Sequence, residues 1–568
     1  MSNRCSAVAD AVRPAHQGGD YVFKPHERPF LAGSPATPDH PARRKLGYLL
    51  IGIYLAILGG FQNGLLLANL PGLQGHLALT SVEAGWVTVA YNMTNACMSI
   101  LLFKLRQQFG IQRFVRIAMA TLLLANFVQL FDAGYRIELV SRGISGIAAS
   151  GLSTLGIYYL MQGLPAKARI AGVLIGLGLS QIALPLARAI SPALIAGGDI
   201  THLFDLQFAL SLMAFGMVFI LPLPPGEIEK AFEKLDLVTF PLLAIGMGLL
   251  CAFLVQGRIQ WWTTPWLGWA LAGAILLIGA AFLIEHNRAN PMLHTRWMTS
   301  KDIVIFASTG ALMRVLLSEQ GFGAGGLLTT VGMINDQLVT YYWIITGATF
   351  IGLVVLIARL DTSDLQRPLL VALALIAVAA FVDTQAGLLS RPENFYWTQA
   401  MMAFAAIYFI GSAMMEGLLR ALAQGMQYII SFIAVFSLSQ TLGGLAGVAG
   451  LAAFQTIRAK VHLMDIGREL TLSDPAVAQA IQLRAAAYNG TIADPVLRQA
   501  SGAGQLVQQA GRDAAILAFN DMFFLIGIIA SLAFAAILAK WIYNRRRGIN
   551  PLAKELEALA SIMGGAKE

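Results

Sequence analysis

Charged residues and cysteines are scarce in this chain. Only 12% of its 568 residues are charged and 57% are hydrophobic, whereas a soluble domain is about 25% charged and about 45–50% apolar. No soluble core of this length needs so many apolar residues, so the composition indicates a polytopic membrane protein. The three cysteines, Cys5, Cys97 and Cys251, are too few and too scattered for a disulfide framework.

The common motifs of catalysis are also missing. The sequence has no G-x(4)-G-K-[ST] phosphate loop, which excludes an ATPase of its own, and it has neither H-E-x-x-H nor G-x-S-x-G. Its eight histidines and three cysteines do not cluster at the spacing of metal ligands. We therefore expect no enzyme activity, no catalytic residue, no metal and no cofactor. The excess of 39 Lys and Arg over 31 acidic residues is typical of orientation in a bilayer, and we expect no nucleic-acid partner.

Long apolar runs are abundant. Fourteen of them follow Lys45, each of about 20 residues, which is enough to cross about 30 Å of hydrocarbon as a helix. The predicted spans are 46–70, 83–103, 114–132, 137–162, 170–194, 205–224, 237–257, 264–285, 303–328, 337–358, 367–384, 395–416, 426–455 and 517–542. The sequence thus predicts an all-α integral membrane protein.

Lys and Arg are distributed unevenly among the short connections. They concentrate before the first helix, in alternate connections and after the last helix, where Arg545, Arg546 and Arg547 follow one another. Because basic loops stay in the cytoplasm, this bias predicts that both termini are cytoplasmic. We expect a disordered cytoplasmic tail over 1–45, with no cleaved signal peptide, and a second cytoplasmic tail over 544–568.

One connection is much longer than the others. Residues 456–516 separate helices 13 and 14 on the side opposite the termini. Asp474-Pro475 and Asp494-Pro495 are typical helix starts, and Gly490 is a stop signal. We therefore expect a small helical element outside the membrane.

Short motifs recur in the order and spacing of one transporter family. They are Pro71, Gly85-Trp86-Val87, Tyr91 and Asn95-Ala96 around helix 2, Arg142-Gly143-Ile144-Ser145-Gly146 in helix 4, Asn290-Pro291-Met292 after helix 8, and Ser437 through Gly447 in helix 13. Together they resemble the fourteen-helix drug:proton antiporter branch of the major facilitator superfamily (EmrB/QacA type). The resemblance covers about residues 46–543.

Two acidic positions of that family carry amides here. Gln62 stands at the Asp of the helix-1 element L-D-x-T. Gln107 stands at the Asp of the loop between helices 2 and 3, whose leading Gly is Phe103. The chain therefore resembles a divergent member, and an amide at either position cannot carry the coupling proton.

The resemblance implies a major facilitator fold with 14 transmembrane helices. Residues 46–226 would form an N-terminal six-helix bundle, 227–302 two inserted helices (7 and 8) with flanking loops, and 303–543 a C-terminal six-helix bundle. It further implies secondary active export of amphiphilic small molecules or drugs across a bacterial inner membrane. The two bundles would rock about a mid-membrane site in proton-coupled antiport.

The implied partners are the small-molecule substrate, protons and membrane lipid. In a Gram-negative host, the long outside connection would also dock a periplasmic membrane-fusion adaptor, which leads to an outer-membrane channel. Two other functions stay open. A dedicated exporter of a siderophore or other secreted metabolite would use a charge such as Arg314 to select an anion. A non-transporting membrane sensor or scaffold would explain the lost acidic positions.

Charges inside membrane helices are costly and by default mark a functional site. Glu319 in helix 9 is the candidate for proton coupling, because low dielectric favours its neutral form, whereas Asp383 is predicted at a water-exposed helix end. Arg314 projects about 140° away from Glu319 on that helix, as a candidate for binding an anionic group or for a counter-charge. Arg142 in helix 4 would organise a proton site, unless it only bonds to neighbouring carbonyls.

Polar and aromatic side chains in the spans are candidates for the substrate path. Beside Arg314, they are Gln62, Asn63, Asn92, Asn95, Tyr91, Trp343 and Tyr408. The amides either line a cavity or bond across helices, and the aromatic residues either form an amphiphile pocket or belong to the interfacial belt.

Overall fold

Helices make up almost all the regular structure. The computed structural model describes residues 33–553 except 132–133, 166–167, 196–197, 229–231, 289, 360, 362–363 and 426–427, together with 13–14, 27, 29, 555 and 557. The first eight long helices are α1 (Ala42–Ala68), α2 (Ser81–Phe109), α3 (Ile111–Gln129), α4 (Tyr135–Gly163), α5 (Arg169–Leu194), α6 (Thr201–Ile220), α7 (Asp236–Gln260) and α8 (Pro265–His286). Apolar runs become helices here because a backbone in hydrocarbon must satisfy its own hydrogen bonds.

Six further long helices complete this series. They are α9 (Lys301–Ser318), α10 (Val339–Arg359), α11 (Gln366–Asp383), α12 (Tyr396–Gln424), α13 (Tyr428–Glu469) and α14 (Pro495–Arg546). The short helices are Leu70–His76, Thr295–Met298 and Pro475–Ala486, with 3-10 turns at Asn335–Leu338 and Pro392–Phe395. Strands β1 (Arg13–Pro14) and β2 (Glu227–Ile228) form a two-residue antiparallel pair, with Arg13 opposite Ile228.

The ninth helix changes character along its length. After Ser318 it continues through a π-helical turn, Glu319–Ala324, into Gly325–Thr330. Thirteen of the described helices are long and apolar enough to cross a membrane, and α9, with three charged residues in its α-helical part, is not among them. The total of fourteen spans and the cytoplasmic location of both termini therefore stay predictions.

The long helices pack as two groups of six, α1–α6 and α9–α14. In the first group α1 packs on α4 and α5, and in the second α9 packs on α13 while α11 packs on α12 and α14. The groups meet where α5 contacts α10 and where α2 contacts α13. Helices α7 and α8 pack on each other, and α7 attaches the pair to α2.

Local sequence fixes where several helices begin. Thr80 and Glu83 form a reciprocal cap at the start of α2, in which the Glu83 amide donates to Thr80 Oγ1 and the Thr80 amide donates to Glu83 Oε2 at 2.8 Å. Asp474 and Asp494 each accept a hydrogen bond from the backbone amide two residues later, at 2.8 Å. The two helix starts predicted in 456–516 are thus present.

The segment 33–41 is packed against the first group of helices, so the predicted disorder of 1–45 does not hold there. Residues 33–37 are buried. The Gln162 side chain donates to the Ala36 carbonyl at 2.7 Å, and Arg169 donates to Thr37 Oγ1 at 3.0 Å. Polar side chains from two connected helices thus hold this segment in place.

The connection 456–516 is mostly helix. Helices α13 and α14 have 42 and 52 residues, or about 63 and 78 Å at 1.5 Å per residue, far more than the hydrocarbon thickness. Both therefore continue out of the bundle as an antiparallel pair, bridged by Pro475–Ala486. We call residues 456–516 the hairpin. At its base Asp521 accepts from Arg458 at 2.5 Å and contacts His462 Nε2 at 2.7 Å.

Candidate functional site

Two buried carboxylates share one amide in the second group of helices. Glu319, the first residue of the π turn, is fully buried, and Asp383, the last residue of α11, is 3% exposed. The Nε2 atom of Gln399 in α12 donates to Asp383 Oδ2 at 3.0 Å and to Glu319 Oε1 at 3.2 Å. No described residue forms an ion pair with either carboxylate. Since both contact one nitrogen atom, two negative charges here would repel each other strongly.

The expectation that Asp383 lies at a water-exposed helix end is wrong. The end of α11 is covered, because Gln399 and the π turn of α9 lie against it. Gln320, the second residue of that turn, donates to the Gln399 carbonyl at 3.1 Å, which fixes α12 in place. Gly323 allows the packing, since a Cβ there would approach Met522 to 2.8 Å. π turns are frequent at functional sites, where an extra residue redirects side chains.

A contact between the two groups of helices lies beside this turn. Arg188 in α5 donates to the Tyr342 hydroxyl at 3.0 Å, and its guanidinium lies 5.2 Å from the centre of the same ring. The neighbouring Tyr341 is 1% exposed, and its hydroxyl has no partner among the described residues. A donor is therefore available next to the carboxylate pair.

Arg142 lies at the centre of a second buried site, in the first group. It is 1% exposed and donates to Asn63 Oδ1 at 2.8 Å and to the Gln62 carbonyl at 3.4 Å, both on α1. Its guanidinium lies 5.0 Å from the centre of the Tyr91 ring on α2. One side chain thus fixes the relative position of three helices. Gly146 makes this possible, because a Cβ there would overlap the Tyr91 carbonyl.

Glu138 is a carboxylate that sequence reasoning missed. It is 6% exposed, one turn before Arg142 on α4, and Gln129 of α3 donates to it at 3.2 Å. The signal was an acid and a base four residues apart inside an apolar run, a spacing that puts both on one helix face. Glu319 is therefore not the only buried acid within the described long helices.

Gln62 lies in a buried polar cluster between α1 and α6. It is 1% exposed, its side chain donates to Ser211 Oγ at 3.4 Å, and Gln207 donates to its carbonyl at 2.9 Å. Asn126 donates to the same Ser211 hydroxyl. Because Ser211 belongs to α6, the side chain of Gln62 points towards α6.

The remaining path candidates fall in different places. Asn95 donates to the Gly146 carbonyl at 3.3 Å, whereas Asn92 donates to Thr88 of its own helix at 2.9 Å. Trp343 is 49% exposed, which corrects its assignment to the path: residues 341, 342, 345 and 346 form the buried face of α10, and residue 343 lies on the outer face. Tyr408 is half-buried and stacks on Phe404, with 5.2 Å between ring centres.

Arg314 does not contact Glu319. Its Nε atom is buried, and no described residue accepts a hydrogen bond from its side chain or pairs with its charge. It packs beside Gly444 of α13, where a Cβ would lie 3.2 Å from Nε. Arg314 as a whole is partly exposed, and its guanidinium has no counter-charge among the described residues.

An ion cluster attaches the α7–α8 pair to the end of α2. Lys104 donates to Asp236 at 2.9 Å, and Arg288 contacts Asp236 at 2.6 Å, Glu233 at 2.7 Å and Glu285 at 2.9 Å. Hydrogen bonds from Arg288, which has the larger effect, and from Asn290 lower the pKa of the Glu233 carboxyl. The cluster begins three residues before Gln107, so a buried ion cluster lies close to this loop although Gln107 itself is neutral.

Similar proteins are transporters. A multidrug transporter of Aspergillus fumigatus, mfsC, of the major facilitator superfamily (MFS), is 22% identical over 309 residues, 53% of this chain and 57% of that protein. The MFS-type transporter YhcA of Bacillus subtilis is 23% identical over 451 residues, 76% of this chain and 80% of that protein. No protein-family profile matches the chain.

A solved structure shows the same fold. The crystal structure of human MFSD10 (TETRAN), titled an organic anion transporter, matches 87% of this chain and 100% of its own with a TM-score of 0.51 and 14% sequence identity. The predicted fold class is therefore confirmed. The relatives support the predicted resemblance: the chain is similar, at 22–23% identity, to transporters of the major facilitator superfamily, as expected of a divergent member.

Proposed function

We propose that this protein exports amphiphilic small molecules in exchange for protons, by alternating access of its two six-helix groups. The buried pair of Glu319 and Asp383 carries the proposal. One bound proton stabilises a buried carboxylate pair that shares a neutral donor, because it removes the repulsion between two negative charges. Such a pair can be loaded on one side of a membrane and emptied on the other.

Two further observations support coupling at this place. The π turn that begins with Glu319 belongs to a helix of the second group, and Arg188 and Tyr342 join the two groups close by. Protonation of the pair therefore changes the charge next to a contact that must rearrange when the groups rock. The similarity to a multidrug transporter supports export of amphiphiles as the direction and class of transport.

We place the protein in a bacterial inner membrane with both termini in the cytoplasm, on the basis of its Lys and Arg distribution. In that orientation the hairpin projects into the periplasm, where a membrane-fusion adaptor would bind it. Apolar side chains at the far end of the hairpin support this, since Leu472 is 75%, Leu483 68% and Val496 74% exposed.

Reconstituted protein tests the coupling. Proteoliposomes that hold the wild-type protein should accumulate a fluorescent amphiphile when a pH gradient is imposed. Glu319→Gln and Asp383→Asn should each abolish this accumulation but retain substrate binding, because each removes a titrating group and preserves its shape. Glu393→Gln, an exposed carboxylate outside the long helices, is the matched control and should behave as wild type. Gradient-driven accumulation by Glu319→Gln would show that the proton travels by another group.

A further inference from the structure

The side chain of Arg314 points into the bundle. Ile305 and Leu312 lie on the outer face of α9, with 46% and 38% of their surface exposed. Arg314 follows Leu312 by two residues, which is about 200° of rotation, and follows Ile305 by nine, which is about 180°. It therefore lies opposite the outer face, towards α13.

A second donor without a partner lies in the same groove between α9 and α13. The Nε2 atom of Gln440 is buried and has no hydrogen-bond partner among the described residues. A Cβ at Gly310 would lie 3.8 Å from Gln440 Nε2, just as a Cβ at Gly444 would lie 3.2 Å from Arg314 Nε. Gly310 precedes Arg314 by four residues and Gln440 precedes Gly444 by four. The two donors are thus offset by about one helical turn, ~6 Å, along the helix axes.

No described residue accepts a hydrogen bond from Arg314 Nε or Gln440 Nε2. The facing positions of both helices are glycines, which bring no side-chain acceptor. The Ser439 hydroxyl is committed to the Phe436 carbonyl at 2.8 Å. Glu319, the acid that follows on α9, contacts Gln399 on another face. The described part of this groove therefore offers a guanidinium and an amide donor and contains no anionic side chain.

We infer that this groove binds the anionic head of an exported amphiphile, a carboxylate or a sulfonate. A cation in low dielectric is stabilised by an opposite charge, and the planar fork of a guanidinium fits two oxygens of such a head group. Gln440 supplies a further hydrogen bond to the same group. The inference rests on the proposed export function and adds its substrate class. The charge also disfavours cationic drugs, since an ammonium group would be repelled.

Two probes with one apolar body test the inference. Dansyl-leucine carries a carboxylate, and dansyl-leucine amide is neutral. Purified wild-type protein in detergent should bind the carboxylate at least tenfold more tightly in a fluorescence titration. Arg314→Gln should weaken carboxylate binding by roughly 10- to 100-fold and leave amide binding almost unchanged, because a hydrogen bond to a charged group contributes about 1.5–3 kcal/mol.

Two further variants complete the set. Gln440→Glu should also weaken carboxylate binding selectively, because it places a competing anion beside Arg314. Arg116→Gln, the same change at an exposed position on α3, is the matched control and should bind as wild type. Equal binding of the two probes by wild type, or equal losses for both in Arg314→Gln, would overturn the inference.

Stability separates ligand binding from a structural role. Removing a cation without a counter-charge should leave the unfolding temperature of Arg314→Gln unchanged or higher, whereas a lower temperature with loss of both probes would show that Arg314 only supports the fold.

The proposed proton-coupled export can fail independently of the anion site. If wild type prefers the carboxylate but a pH gradient does not drive its uptake, the coupling is wrong and the anion site stands. If the gradient drives both probes equally in wild type and in Arg314→Gln, the anion site is wrong and the coupling stands.

Discussion

Asp236→Asn should strongly destabilise the attachment of α7 and α8. Asp236 is fully buried and accepts hydrogen bonds from Lys104 at 2.9 Å, from Arg288 at 2.6 Å and from the Glu233 amide at 2.9 Å. Lys104 and Arg288 are almost as buried, each with about 5–6% of its side chain exposed. An Asn would keep the size of the side chain but remove the charge that both cations face.

The magnitude follows from the other partners in the cluster. Breaking a buried ion pair by removing one partner typically costs about 3–5 kcal/mol, because the remaining charge is left uncompensated. Arg288 would keep Glu233 and Glu285, at 2.7 and 2.9 Å. Lys104 would lose the only acid with which the described residues pair it. We therefore expect a loss at the lower limit, about 3 kcal/mol of unfolding free energy.

Unfolding of purified protein in detergent by added SDS, followed by circular dichroism, measures this loss. Lys104→Met should cost less than Asp236→Asn, since Asp236 then keeps Arg288. The double variant should lose less unfolding free energy than the sum of the losses in the two single variants, and the difference should be about 0.5–3 kcal/mol. If Asp236→Asn stays within about 1 kcal/mol of wild type, the cluster behaves like an exposed pair and the reasoning is refuted.

The other predictions concern transport. Arg142→Lys should lose most gradient-driven flux, because an ammonium cannot reach Asn63 and the Gln62 carbonyl together while it covers the Tyr91 ring; wild-type flux in proteoliposomes would favour a purely structural role. Deletion of 473–500 should abolish export by whole Gram-negative cells but preserve membrane insertion and flux in proteoliposomes, and full export by such cells would exclude adaptor binding to this part of the hairpin.

Sequence patterns predicted the spans well because hydrocarbon thickness sets a length that apolar runs must meet. The starts at Asp474 and Asp494 were predictable for a similar reason, since a cap depends on residues next to one another. Hydropathy did not reveal the length of α13 and α14, because it reports only the part of a helix that lies in lipid. Polar residues beyond residue 455 continue the same helix in water, supported by the neighbouring helix of the pair.

Burial set by distant residues was not predictable from one sequence. Asp383 ends its helix and resembles a solvated terminus until Gln399, 16 residues later, is seen to donate to it. Trp343 belongs to a run of three aromatic residues, and only the packing of α10 decides that two of them face inwards. Arg314 and Glu319 were recognised by their charge, but their surroundings differ: one shares an amide with another acid, and the other has no counter-charge.

The continuity of α13 and α14 makes the hairpin a lever. Both helices belong to the second group and leave it without a break, so a rotation of that group moves the hairpin by the same angle. From residue 516 back to 495 the arm is about 32 Å long at 1.5 Å per residue, and a turn of about 15° would move its tip by about 8 Å. A molecule attached there would sense each transport cycle, and one that held the tip still would stop the cycle without touching the substrate.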